Sequence, residues 1–207
     1  MKLDVMATGS SGNASIITGK NETIAIDFGL SYKKWDNLRE SHGHQFPNHL
    51  FITHGHSDHS NQSGLNRLMK THPEIMIHTN RGEFETDEFT LSAFLVPHNV
   101  PNHGYLITEK ATGERLVYVT DCSAMYDTLT AQKEELSGCE YYALEANYDN
   151  AFMKNPEWLE QMGFRYDVFK NMARHTSKQE AIRTFAELKG KNSILIPLHM
   201  SSRFYNS

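Results

Sequence analysis

Short apolar runs separated by turn-forming residues occur along the whole chain and predict a protein built mainly from strands. The predicted strands cover residues 3–6, 15–18, 23–28, 50–53, 75–78, 88–97, 105–109, 115–120, 141–145 and 193–198. Apolar residues at helical spacing predict single helices between them. These helices cover residues 30–39, a segment around 65–69 that ends at Pro73, 156–162 and 178–188, the last with Ser177 as its N-cap.

The order of these elements places strands in both halves of the chain, with helices between them one at a time. This order favours the α+β class, with mixed sheets covered by helices on their outer faces, over an alternating βα barrel. We find no Pro/Gly/Ser-rich linker, low-complexity tract or internal repeat in the 207 residues. The sequence therefore predicts a single domain over residues 1–207, a length that can bury roughly 70% of its unfolded surface.

Composition excludes several classes of protein. The formal net charge of −5 argues against a surface that coats polyanions, although a local basic groove stays open. Two cysteines, Cys122 and Cys139, are too few for a disulfide scaffold. No apolar run reaches the roughly 18 residues of a membrane-spanning helix. Asp4 interrupts the stretch that a signal peptide would need, so the sequence predicts a cytoplasmic protein without membrane association.

The 12 histidines are the one unusual number in the composition, and several of them are clustered. Four potential metal ligands lie within six residues directly after an apolar run: His54, His56, Asp58 and His59. A solvated polar loop is the alternative interpretation, but imidazole and carboxylate at this density without cysteine favour a Zn, Mn or Fe site. A dinuclear centre needs further ligands, and the candidates that follow other apolar runs are His98, Asp121 and His199.

Several longer stretches carry a resemblance to a known family. They are ATGSSGNAS at 7–15, IDFGLS at 26–31, THGHSDH at 53–59, VPHNVPNHGY at 96–105, VYVTD at 117–121 and LEANYD at 144–149. With them the chain resembles the metallo-β-lactamase fold superfamily of metal-dependent hydrolases, and within it most closely the YycJ-like (WalJ) group. HTSKQEA at 175–181 and LHMSSRFY at 198–205 resemble ribonuclease Z. The resemblance implies an αββα sandwich, with two mixed sheets packed face to face and helices outside.

The resemblance also implies roles for individual residues. His54, His56 and His98 would hold one metal ion, Asp58, His59 and His199 the other, and Asp121 would bridge both. Asp58 would in addition orient the attacking hydroxide. His175, held by Glu145, would protonate the leaving group or bind a phosphate oxygen.

The remaining candidate residues have more ordinary interpretations. The GSSGN segment at 9–13 is interpreted as a hairpin turn rather than a phosphate cradle. His78 is predicted to be a core histidine, His103 is a secondary candidate for the mouth of the site, and Cys122 is predicted to fill core volume. The RFY segment at 203–205 fits phosphate and base binding as well as it fits a packed tail. The histidines predicted to be solvated are His42, His44, His49 and His72.

These features predict a phosphodiesterase that uses a metal-bridging hydroxide and two divalent ions, Zn or Mn, with Fe as an alternative. Its predicted substrate is DNA or RNA, which makes the protein a nuclease. A cyclic nucleotide is the rival within this class, because the chain is short and acidic. From other classes, a hydrolase of esters, thioesters or lactones and a non-catalytic binding module remain as alternatives, and a homodimer is left open.

Overall fold

The computed structural model describes residues 1–79, 81–151 and 172–201. Its strands are β1 (Lys2–Ala7), β2 (Ala14–Thr18), β3 (Thr23–Ile26), β4 (His49–Phe51), β5 (Met76–His78), β6 (Glu83–Glu85), β7 (Phe89–Val96), β8 (Asn102–Glu109), β9 (Arg115–Val119), β10 (Tyr141–Glu145) and β11 (Ile194–Leu198). Its helices are α1 (Tyr32–Ser41), α2 (Gln62–Thr71), α3 (Met125–Thr130), α4 (Lys133–Leu136) and α5 (Lys178–Leu188).

The strands form two mixed sheets, with the orders β1-β2-β3-β4-β5 and β11-β10-β9-β8-β7-β6. In the first sheet, β1, β2 and β3 pair antiparallel, whereas β3, β4 and β5 run parallel. In the second, β9, β10 and β11 run parallel, and β6 pairs antiparallel with β7. Two mixed sheets with interspersed helices confirm the predicted α+β class.

The chain divides into two compact units. The N-terminal unit comprises Met1–Phe94 and Ile107–Glu114, and the C-terminal unit comprises Leu95–Leu106 and Arg115–Ser207. The single domain over 1–207 stays a prediction.

Two helices close the core of the N-terminal unit. Helix α1 begins after Ser31, whose side chain accepts a hydrogen bond from the amide of Lys34, and it buries Trp35 completely. The Trp35 ring packs against Phe28, with 4.8 Å between the ring centroids. Helix α2 begins after Asn61, which caps the amide of Gly64 in the same way. Each cap satisfies a backbone N–H that the helix itself leaves unpaired, so both helix starts are specified locally.

In the C-terminal unit the three parallel strands β9, β10 and β11 place their carboxyl ends at one edge of the sheet. Helix α5 starts at the predicted cap, where Ser177 accepts from the amide of Glu180 at 3.2 Å. Tyr142 of β10 is fully buried, and its hydroxyl lies 2.7 Å from the Leu136 carbonyl and 2.9 Å from the Leu188 carbonyl. One side chain thereby contacts the ends of both α4 and α5.

The predicted strands are all present, with shifts of a few residues at their ends. The structure adds β6, α3 and α4, which the sequence pattern did not predict. The predicted helix over 156–162 lies outside the described residues. Helix α1 begins two residues later than predicted, because Ser31 caps it from outside. Among the described residues, no helix combines the length and apolar character that crossing a bilayer requires.

Candidate metal centre

The loop that follows β4 carries the predicted ligand motif and is fixed by a buried aspartate. Asp27, directly after β3, accepts hydrogen bonds from the amide and the hydroxyl of Thr53, both on Oδ1, at 2.8 and 2.9 Å. Nδ1 of His59 donates to Oδ2 of the same carboxylate at 2.6 Å. Because the proton then resides on Nδ1, the lone pair of His59 is on Nε2, the atom available to a metal.

His54 and His56 present their ring nitrogens to each other. Nε2 of His54 lies 3.0 Å from Nδ1 of His56. On its other side, Nδ1 of His54 lies 3.1 Å from the hydroxyl of Thr53, which already donates to Asp27 and therefore accepts here. Two ligand nitrogens about 2.0–2.1 Å from a tetrahedral or octahedral ion lie roughly 3–3.4 Å apart. The observed separation fits a shared ion.

Asn13 and Gly29 hold the backbone of the motif at Asp58. The Asp58 carbonyl accepts from the Asn13 amide at 2.7 Å and from its Nδ2 at 3.1 Å. Asn13 Nδ2 also lies 2.9 Å from Nε2 of His59. A Cβ on Gly29 would lie 1.7 Å from the Asp58 oxygen, so only glycine allows this approach. The segment at 9–13 is the predicted turn between β1 and β2, and its last residue contacts the motif.

Three non-glycine residues among those described have a positive φ: Asp27 at 64°, Asp121 at 52° and His199 at 50°. Each follows the end of a strand, and two of them are predicted metal ligands. Left-handed backbone is costly for residues with a Cβ and is concentrated at functional sites. The strain therefore marks the strand ends where the sequence analysis placed the chemistry.

Asp121 lies at the strand edge of the C-terminal unit with its two carboxylate oxygens facing different histidines. Oδ1 is 3.3 Å from Nδ1 of His199, and Oδ2 is 3.7 Å from Nε2 of His98. Asn102 donates from Nδ2 to the carbonyls of Thr120 and Asp121, at 2.9 and 2.8 Å, and so fixes the turn. A carboxylate in this arrangement can offer one oxygen to each of two ions.

His98 is oriented by a backbone carbonyl. Its Nδ1 donates to the carbonyl of Arg174 at 3.2 Å, and only 1% of its side chain is exposed. The lone pair is consequently on Nε2, the nitrogen that faces Asp121. His98 thus has the same protonation pattern as His59, with a different acceptor.

Glu145 and His175 form the predicted dyad. Nδ1 of His175 lies 2.6 Å from Oε1 of Glu145, and the same oxygen is 3.2 Å from Nδ1 of His199. Oε2 of Glu145 accepts from the amides of Cys122 and Thr176. Burial raises the pKa of the Glu145 carboxyl, but the hydrogen bonds from His175 and His199 lower it more, so its pKa lies below the usual value.

The structure therefore brings four predicted residues of the C-terminal unit together. These residues are Asp121, Glu145, His175 and His199. Each offers one ligand atom, and the four atoms all lie within 4.8 Å of one another. Asp27, Asn13 and Asn102 were not predicted as functional residues, yet each contacts a predicted ligand or its backbone. Asp27 and Asn13 lie within the quoted IDFGLS and ATGSSGNAS stretches, and Asp27 follows an apolar strand as the predicted ligands do.

Other predicted residues are located as follows. Cys122 is fully buried and its pKa is raised to about 12 by burial, which confirms a core role. His78 is partly buried and hydrogen-bonds to His49 at 2.9 Å, as a core histidine does. His103 is buried in β8.

The prediction of solvated histidines is wrong for two of the four. His49 is buried beside His78, and the His44 side chain is only 10% exposed because it packs against Asp4. His42 contacts Asp4 as well but keeps 35% of its side chain exposed. His72 is partly exposed, stacks on Phe46 and lies beside Glu74. Side chains distant in sequence contact both histidines, His78 beside His49 and Asp4 beside His44, so the neighbouring polar loop residues gave no sign of burial.

Solved structures similar to this chain share its fold. Human tRNase Z, short form (ELAC1), has 18% identity and a TM-score of 0.67 over 98% of this chain and 93% of its own. A diphosphatase from the PhnP family has 15% identity and a TM-score of 0.64, over 96% and 85%. Zn²⁺-bound PqqB from Methylobacterium extorquens has 11% identity and a TM-score of 0.68, over 98% and 90%.

Neither sequence comparison gives a match. No family model matches the chain. A search of curated proteins found none similar enough to count. The structural neighbours include a protein from Bacillus subtilis described as having the metallo-β-lactamase fold, with a TM-score of 0.65. The chain therefore has the metallo-β-lactamase fold that its sequence motifs predicted.

Proposed function

We propose that this protein is a dinuclear metal-dependent phosphodiesterase that acts on nucleic acid or nucleotides, with nuclease activity as the leading form. The observation that carries the proposal is the His175–Glu145 pair, with 2.6 Å between Nδ1 and Oε1, beside Asp121 and His199. Metal ligation by itself suits many hydrolases. A histidine held by a buried carboxylate next to the ligands adds a proton donor, which a phosphodiester needs for its leaving oxygen.

The proposed ligand set is the one predicted from the sequence. His54, His56 and His98 would hold the first ion, Asp58, His59 and His199 would hold the second, and Asp121 would contribute a carboxylate to both. The donor chemistry of these side chains supports it. His54, His59 and His98 each have an acceptor at Nδ1, which puts the lone pair of each ring on Nε2, the nitrogen that would ligate. Imidazole and carboxylate donors without thiolate suit Zn or Mn, and Fe is also compatible.

Bound divalent ions supply Lewis-acid polarisation of the phosphoryl oxygens and a lowered pKa for the attacking water. The chain supplies orientation and proton transfer. Asp58 positions the attacking water opposite the leaving oxygen. As the new P–O bond forms and the old one breaks, His175 gives its Nε2 proton to the leaving oxygen. Glu145 keeps the His175 ring oriented, because it accepts from Nδ1.

The structural neighbours support a phosphorus-centred reaction in general terms. One is by name a tRNase and another a diphosphatase. A second candidate function, hydrolysis of a cyclic nucleotide, is favoured by a specific observation. The 22 residues between His98 and Asp121 are largely occupied by β8, its turn and β9, and the net charge is −5. This interval contains no inserted arm that could clamp a long nucleic acid.

A substrate panel tests the proposal. Purified protein loaded with Zn or Mn is assayed on four groups of phosphodiesters: bis-p-nitrophenyl phosphate, cyclic nucleotides, DNA (single- and double-stranded) and RNA. A lactone and a thioester are assayed in parallel. We expect phosphodiester turnover in at least one of the first four groups. Activity on cyclic nucleotides alone would select the second candidate, and activity on the lactone or thioester with no phosphodiester cleaved would overturn the substrate class.

A ligand variant separates metal-dependent activity from a contaminant. Asp58→Ala removes both a ligand and the group that orients the water, so we expect turnover to fall on the order of a thousand-fold or more. Asp36→Ala is the matched control, because Asp36 is a partly exposed aspartate paired with Arg39 in α1. Equal activity of Asp58→Ala and wild type would remove Asp58 from the mechanism.

A further inference from the structure

A second group of histidine and carboxylate side chains lies in the N-terminal unit and shares no residue with the proposed dinuclear centre. Oδ2 of Asp4, in strand β1, is 2.9 Å from Nδ1 of His42 and 2.7 Å from Nε2 of His44. The three ligand atoms all lie within 4.8 Å of one another. Two imidazoles thus converge on a single carboxylate oxygen.

The backbone that carries the two histidines is fixed by its own hydrogen bonds. His42 caps the carboxyl end of α1 and donates its amide to the Leu38 carbonyl at 2.9 Å. Gly43 follows with a φ of +75° and donates to the Glu40 carbonyl at 2.9 Å. A Cβ at Gly43 would meet nothing within 4 Å, so the positive φ rather than space favours glycine here.

Arg39 completes the turn. The amide of His44 donates to the Arg39 carbonyl at 3.0 Å, and the Arg39 guanidinium donates back to the His44 carbonyl. Asp4 is likewise held, because β1 pairs with β2 and Asp4 is opposite Ile16. All three side chains therefore project from backbone whose position is set independently of any ligand, which reduces the ordering cost of binding an ion.

The spacing of the donor atoms fits a transition metal. Ligands about 2.0–2.1 Å from a zinc ion lie roughly 3–3.4 Å from one another. The two N–O distances of 2.9 and 2.7 Å are hydrogen-bond distances and are shorter than this by roughly 0.1–0.7 Å. Rotation of the imidazoles about their χ angles supplies that difference. The set of two imidazoles and one carboxylate, without thiolate, is one that zinc accepts.

The group of three side chains is partly exposed, which suits an ion whose remaining coordination positions are filled by water. The His42 side chain is 35% exposed and Asp4 is 24% exposed, whereas His44 is largely buried. An ion can enter from the His42 side, and water can fill the coordination positions that the protein leaves open.

We propose that Asp4, His42 and His44 form a Zn²⁺ site separate from the dinuclear centre. The ion links the turn after α1 to strand β1, which is an edge strand of its sheet. Its role is structural, because a cross-link between residue 4 and residues 42–44 stabilises the folded N-terminal unit by binding it in preference to the unfolded chain. The proposal does not depend on the proposed enzymatic function.

Metal stoichiometry tests this site. Wild type and the double variant His42→Gln/His44→Gln are stripped with a chelator, dialysed against micromolar Zn²⁺ and analysed for bound zinc. We expect the double variant to hold one equivalent less than wild type. The matched control is His72→Gln, since His72 is a partly exposed histidine 3.0 Å from the Glu74 carboxylate that belongs to no three-ligand group among the described residues. It should hold the wild-type amount.

Two further measurements keep the test independent of folding and of the dinuclear centre. Asp4→Asn retains a hydrogen-bond acceptor but removes the charge. Loss of even an outer partner of a ligand costs roughly 10–100-fold in metal affinity, so loss of this ligand should weaken one class of Zn²⁺ sites by at least about that much. Zinc should also raise the Tm of wild type more than that of the double variant. Equal zinc content and equal Tm shifts in wild type and the double variant would overturn the site.

Discussion

Oδ2 of Asp27 lies 2.6 Å from Nδ1 of His59, and neither side chain is exposed to solvent. The carboxylate fixes the rotation of the imidazole and determines which nitrogen carries the proton. Asp27 has a φ of 64°, so its backbone is strained where it positions this carboxylate against the ligand loop. A group that binds no metal itself therefore decides whether His59 can bind one.

Asp27→Asn should weaken metal binding by roughly 10–100-fold, the usual effect of losing a partner of a ligand. The Asn oxygen can keep the two bonds from Thr53, but its NH₂ group then faces Nδ1 of His59. That nitrogen must become an acceptor, which moves the proton to Nε2 and blocks the ligand atom. Competition with a chromophoric chelator measures the affinity. Asp127→Asn, at an exposed aspartate in the first turn of α3, serves as the control, and an unchanged affinity in Asp27→Asn would contradict the assigned tautomer.

Of two glycines at the motif, Gly29 should be sensitive to replacement by alanine and Gly55 should not. In Gly29→Ala the new methyl would lie 1.7 Å from the Asp58 carbonyl oxygen, so the loop must move. We expect lower metal content and a free energy of unfolding reduced by several kcal/mol, on the order of the overpacking and strain penalties of buried sites. Metal analysis and urea denaturation measure both.

Gly55→Ala is the internal control, because it changes the motif itself between His54 and His56. A Cβ at Gly55 would meet nothing within 4 Å, and its φ is not in the left-handed region. Stability and metal content should stay close to wild type. If Gly55→Ala were as damaging as Gly29→Ala, then the close approach of Gly29 to Asp58 would not be the feature that matters.

How much of the fold was predictable depended on the length and burial of each element. Strand β10 was predicted with correct ends, because five residues with a strong apolar pattern end at Glu145. Strand β6 was missed, since its three residues are mostly exposed and carry two glutamates. Helices α3 and α4 were missed because they are short and neither has a side-chain cap. Such elements are stabilised by tertiary packing, which local pattern does not contain.

The site was predictable where its residues are chemically distinctive and follow apolar strands. This holds for Asp121 and His199, which follow β9 and β11. Asn13 and Asn102 act through backbone carbonyls, and an asparagine in a turn is common without any such role. Asp27 follows the apolar strand β3, so its position at a strand end could have marked it as a candidate. What no pattern indicates is its pairing with His59, 32 residues later in the chain.

Cleavage of pre-tRNA at its 3′ end should be poor, although a tRNase Z is among the structures with a similar fold. The chain between His98 and Asp121 consists of β8, a tight turn and β9, so this interval presents no extended arm to a folded RNA. We expect kcat/KM on pre-tRNA to be well below that on a short single-stranded RNA. Gel assays of both substrates at equal protein concentration make the comparison. Efficient, site-specific cleavage of pre-tRNA would show that the body of the protein recognises tRNA unaided.

His175→Ala should keep its metal and its fold but lose about 10²–10⁴ in turnover, the usual contribution of a positioned acid. Loss should be smallest on substrates with a good leaving group such as p-nitrophenolate, because that oxygen needs no proton. It should be largest on substrates with an alkoxide leaving group. A purely structural role for His175 would lower both rates equally. Metal analysis and circular dichroism of the variant accompany the assays.

Glu145→Gln should reduce the rate in the same direction, because the dyad acts as a unit. The two amides that donate to Oε2 retain the Gln oxygen, so the NH₂ group faces Nδ1 of His175. Nδ1 must then accept, and the ring loses the carboxylate acceptor that orients it. The double variant Glu145→Gln/His175→Ala should be little slower than His175→Ala alone, since residue 145 then has no imidazole ring left to orient. If the double variant instead lost the product of the two single-variant rate reductions at unchanged metal content, Glu145 and His175 would contribute separately to turnover.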